Sequence, residues 1–60
     1  TEREFEVLSR IVEGQSNPQI ASSLYLSLNT IKSHVNSILN KLGVNDRVQA
    51  AVFAVRNQLV

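Results

Sequence analysis

Lys32, Ser33 and Asn36 fall within five consecutive residues, a spacing that on a helix gathers an ammonium, a hydroxyl and a carboxamide on one surface. These groups donate and accept hydrogen bonds, which is recognition chemistry rather than bond-making chemistry. A reaction would need more than the chain offers. The glutamates Glu2, Glu4, Glu6 and Glu13 cluster near the start, His34 has no acidic neighbour in sequence, and no glycine-rich loop is present. The sequence therefore reads as a non-enzyme. With no cysteine and a single histidine it calls for no metal and no cofactor. His34 lies beside an apolar stripe and is read as a packing or hydrogen-bonding residue.

Charge is distributed unevenly around these groups. Residues 15 to 45 contain no Asp or Glu, and hold Lys32, His34 and Lys41 among many Ser and Asn. Such a surface suits a polyanion, because a carboxylate there would repel phosphate, although chance can produce the same pattern in a small domain. The net charge of +1 adds little.

The elements that position these residues must be helical and must rely on packing. A chain of 60 residues forms one domain and buries only about 60% of the surface it exposes unfolded. Apolar residues make up 43% of it, well above the disordered range, and no apolar run approaches the roughly 18 residues of a membrane span. No targeting segment is visible, and the chain, which starts at Thr1 and lacks methionine, is read as a piece of a longer protein.

Four helices are predicted. Thr1 and Glu4 have capping-box spacing, Phe5, Leu8, Ile11 and Val12 recur at helical intervals, and Gly14 supplies a stop, giving a helix over about 2 to 13. Asn17 as N-cap before Pro18 starts a second, two-turn helix to Leu24, with Ile20, Ala21 and Leu24 apolar. Ser27 caps a third, in which Leu28, Ile31, Val35, Ile38, Leu39 and Leu42 share one side and Gly43 ends the run. Its other side collects Asn29, Lys32, Ser33, Asn36, Ser37 and Asn40. Ser and Asn are poor helix formers, so helix stability does not account for them. Asp46 and Gln49 repeat the capping-box spacing before a fourth helix over about 47 to 58, with Val48, Ala51, Val52, Val55 and Leu59 as its core stripe. Ala50, Phe53 and Ala54 lie off that stripe, which predicts burial on a second side.

A short helix, a tight turn and a longer helix with a polar face describe a helix-turn-helix, in an all-α, compact four-helix domain spanning residues 1–60. Leu26 and Ile31 fill the angle between the two helices, leaving the polar side of the third free for a major groove. A plain helical bundle shares the spacing. The sequence runs Glu2-Arg3-Glu4-x-Glu6-Val7-Leu8, Gly14-x-Ser16-Asn17-x-x-Ile20-Ala21, Ser27-x-x-Thr30-Ile31-Lys32-x-His34, Lys41-Leu42-Gly43-Val44 and Arg47-x-x-Ala50. In that order these segments resemble the LuxR-type (NarL/FixJ-like) DNA-binding domain of bacterial transcription regulators. Pro18 and Gln19 depart from the family's usual basic residue and Glu, which bears on phosphate contacts and not on the fold.

The resemblance implies sequence-specific binding of double-stranded DNA as a homodimer, in the cytoplasm, with RNA polymerase as a further partner. It also implies a missing N-terminal regulatory domain, either a phosphorylatable receiver or a small-molecule sensor. Lys32, Ser33 and Asn36 are then expected at base edges, where lysine can donate to guanine and Asn can pair with adenine. Asn17, Thr30, Lys41 and Arg47 are expected at the DNA backbone. For Arg47, a cation at a helix start, an ion pair with a glutamate of the first helix is the competing reading. Ala50, Phe53 and Ala54 are expected at the dimer interface. Two rival functions are a helical adaptor that docks a protein through the fourth helix, and promoter recognition within a polymerase specificity factor. The few aromatics form no stacking platform for single strands.

Overall fold

The computed structural model describes residues 2–60, which form α1 (Glu2–Val12), α2 (Asn17–Leu24), α3 (Leu28–Leu42) and α4 (Arg47–Arg56). The Thr1 half of the proposed first capping box lies outside the described residues. α1 packs against both α3 and α4, and α2 rests on α3. Ile20, Ile31 and Val7 are the largest fully buried side chains, and Leu8, Ile11, Leu24, Val35 and Ile38 close round them.

Local chemistry explains the ends of each helix. Ser16, not Asn17, caps α2: its hydroxyl accepts from the Gln19 amide at 3.3 Å, while the Gln19 carbonyl oxygen accepts from the Ser16 amide at 2.8 Å. The cap thus lies one residue earlier than expected, and Asn17 becomes the first helical residue with its side chain available for another use. Ser27 caps α3 as expected, its Oγ accepting from Thr30 N at 3.1 Å. Asp46 caps α4, but Gln49 reaches back to the amide of Asn45 instead of completing the reciprocal pair with Asp46. The turn between α2 and α3 places Tyr25 at φ 57°, a left-handed conformation that costs a side-chain-bearing residue energy. The Leu26 amide repays part of this by bonding the Ala21 carbonyl at 3.0 Å and folding Leu26 back onto the core.

Two apolar faces differ from expectation. On α1 the fully buried residue is Val7, whereas Phe5 is 51% exposed. The inward line of the helix passes through Val7, Leu8 and Ile11, so Glu4, one turn before Val7 and Leu8, also points inward. On α4 the assignment is reversed: Ala50 and Ala54 are completely buried, while Val48, Val52 and Val55 are 69%, 44% and 57% exposed. Leu59, beyond the helix end, is exposed as well. Ala50 and Ala54 therefore belong to the domain's own core and present no surface to a second copy, whereas Phe53 is half-buried. A tether accompanies this rotation. Arg47, Ala50, Ala51 and Ala54 share one side at helical spacing, and the Arg47 side chain is bonded to Gln15 and to Asn17 at the start of α2, consistent with that side facing inward. Alanine then lets the helix axes approach closely.

Candidate nucleic-acid interface

α3 presents its polar side to solvent. Lys32, Ser33 and Asn36 are all exposed, and none has a side-chain hydrogen bond among the described residues. The sequence places them together and the structure keeps them so, within one and a half turns of the N-terminal part of α3. Asn29 and Asn40 extend the exposed polar surface in both directions. Ile31, Val35 and Ile38 anchor the opposite side of the same helix in the core, which fixes its rotation and hence where the polar groups point.

The four residues expected at phosphates are in different situations. Thr30 is half-buried, and its hydroxyl lies 2.8 Å from that of Ser27, so it belongs to the N-terminal cap of α3. Asn17 opens α2 and is joined to Arg47, whose Nη1 donates to the Asn17 Oδ1 while Nη2 donates to the Gln15 carbonyl at 2.8 Å. Arg47 thus does not make the competing ion pair with a glutamate of α1; its guanidinium fastens α4 to the start of α2 and the loop ahead of it. Lys41 is also engaged. Its Nζ lies 2.6 Å from Glu4 Oε1, and Ser37 Oγ donates to Glu4 Oε2 at 2.6 Å.

This grouping of Glu4, Ser37 and Lys41 is absent from the sequence reading. A signal for it existed in the position of Glu4 one turn before Val7 and Leu8, and in the one-turn spacing of Ser37 and Lys41 on α3. The Glu4 side chain is only 13% exposed. Its carboxyl is lowered from 4.5 to about 2, first by the hydrogen bond from Lys41 and then by that from Ser37.

His34 is half-buried at the margin of the core side. Among the described residues no group of His, Cys, Asp and Glu comes together in a way that could hold a metal ion. No helix is long and apolar enough to cross a membrane.

An exposed polar surface on a core-anchored third helix, preceded by a two-turn helix and a left-handed turn, is the geometry of a DNA-reading helix-turn-helix. Residues 1–54 match the family described as bacterial regulatory proteins, luxR family. The chain belongs to this family. It is accordingly a DNA-binding domain of transcription regulation. It is 50% identical over its whole length to the transcriptional regulatory protein LiaR of Bacillus subtilis, covering 28% of that protein. It is 47% identical to the response regulator protein VraR of Staphylococcus aureus, covering 29%. Among solved structures it superposes with a TM-score of 0.94 and 38% identity on the response regulator ChrA of a heme-sensing two-component system, matching 100% of this chain and 30% of that one. The chain thus spans less than a third of these relatives.

Proposed function

We propose that this domain is the output module of a two-component response regulator, binding duplex DNA as a homodimer in the cytoplasm through base contacts from Lys32, Ser33 and Asn36. The observation that carries the reading is that these three side chains are exposed, adjacent and unpartnered on a helix whose other side is locked in the core. Lysine donates to guanine O6 or N7, and a carboxamide matches adenine N6 and N7, so the two ends of the cluster read different bases. The N-terminal turns of α2 and α3, where Asn17 and Thr30 sit, supply amides for backbone phosphates. The regulatory part is a receiver domain preceding this one, a reading supported by relatives named as response regulators.

The dimer face on α4 is Val48, Val52 and Val55, which leave the domain with an apolar strip that a second copy would cover. RNA polymerase is a further partner in this reading.

Selection of this chain against a randomised duplex library tests the base contacts. Lys32→Ala and Asn36→Ala should each cost about 1–3 kcal/mol on the selected site and relax preference at one position. Unchanged base preference in both variants would refute readout by α3.

A further inference from the structure

Glu4 lies outside the DNA-reading surface, yet it holds two side chains of the reading helix. Ser37 and Lys41 are one turn apart on α3, and each donates to a different oxygen of the same carboxylate, at 2.6 Å in both cases. The two bonds tie α3 to α1 at two points one turn apart, the shorter Ser37 side chain setting the separation of the helices more closely than the flexible stem of Lys41. The Glu4 side chain is 13% exposed and that of Lys41 58% exposed, so the carboxylate is held at the helix contact while the ammonium stays at the surface.

The grip has an electrostatic effect as well. Residues 15 to 45 hold only two lysines and no carboxylate, so the cationic charge of the DNA-facing part of the chain rests on Lys32 and Lys41. Lys32 has no carboxylate partner, whereas the Lys41 charge is compensated by Glu4. An ammonium held in this way displaces fewer counterions from a phosphate than a free one. Affinity that is blind to sequence is thereby kept low, while the base-reading residues are untouched.

We propose that Glu4 is a positioning residue for DNA recognition, one that fixes the C-terminal half of α3 through Ser37 and Lys41 and withdraws the Lys41 charge from phosphate binding. This rests on the DNA-binding reading above. A free Lys41 would add one phosphate contact, steepening the dependence of log K on log salt by about 0.9 for any duplex.

The experiment measures binding of this chain to a labelled mixed-sequence duplex and to a library-selected site across a salt series. Glu4→Gln is compared with Glu2→Gln, which makes the same charge change on an exposed residue of the same helix. Glu4→Gln should steepen the slope on mixed-sequence DNA by about 0.9 relative to Glu2→Gln and narrow the preference for the selected site. Equal slopes in the two variants would overturn the inference. The paired replacement Glu4→Met with Lys41→Met preserves net charge and supplies apolar packing, and decides the matter even if Glu4→Gln does not fold. Its slope should equal that of the unaltered chain. A loss of about 0.9 would show that Lys41 already serves a phosphate, and would also overturn the inference. A flat salt dependence in the unaltered chain would instead refute the DNA-binding reading itself, so the two failures are distinguishable.

Discussion

Replacing Arg47 with methionine separates a structural tether from a phosphate contact. The guanidinium makes two bonds, one to the Asn17 carboxamide oxygen and one to the Gln15 carbonyl, both at half-buried positions. Hydrogen bonds that involve a charged group contribute about 1.5–3 kcal/mol when well shielded, and water can replace part of each here, so about 2–3 kcal/mol is expected for the pair. Methionine retains the apolar stem, so little packing is lost. A 60-residue domain at about 0.05–0.15 kcal/mol per residue has roughly 3–9 kcal/mol in total, which makes the loss a large fraction of its stability. At about 4–8 °C per kcal/mol for domains of this size, the melting temperature should fall by about 8–24 °C in a circular-dichroism scan. Arg47→Lys, with a single ammonium able to reach one acceptor at a time, should show about half that fall. The reasoning is refuted if Arg47→Met melts with the unaltered chain while its DNA affinity drops and its salt slope shrinks by about 0.9, since Arg47 would then serve phosphate and not the fold.

Further outcomes follow from the packing of α4 and from Glu4. Ala54→Leu should destabilise by about 1–3 kcal/mol in urea unfolding through overpacking of a fully buried site, while Val52→Leu on the exposed side should stay within about 0.5 kcal/mol. Val52→Glu should leave the monomer folded but abolish dimerisation on DNA in sedimentation; retained dimers would exclude the valine strip as the interface. The Glu4 carboxyl is depressed in the fold, so the stability it contributes is present above its ordinary value of 4.5 and is lost as pH falls towards about 2. The stability gap between the unaltered chain and Glu4→Gln should therefore close over that window and stay constant above it. A gap that persists at the acid end would show that the carboxylate is not the stabilising form.

Local signals were enough to identify the four helices and the polar side of α3. Capping residues, left-handed stops such as Gly14 and Gly43, and the three-to-four spacing of apolar residues all act over a few positions, so they are written in the chain itself. The same is true of Lys32, Ser33 and Asn36, whose common surface follows from helical geometry once Ile31 and Val35 are placed inward. The rotation of α4 was not legible, because the helix is apolar nearly all round and either side could have faced the core. In the packed domain Ala50 and Ala54 face the core, and Arg47 on the same side bonds partners 30 and 32 residues away in sequence. Glu4 likewise meets Ser37 and Lys41 across separations of 33 and 37 residues. A sequence fixes which groups are available and on which side of a helix they stand, but the pairing of groups on different helices is set by how those helices dock, and docking minimises the energy of the whole core at once. Two of the chain's cations, Lys41 and Arg47, thus look in sequence like free surface charges, and only the packed domain shows that each bonds a residue of another element, Lys41 to Glu4 and Arg47 to Asn17.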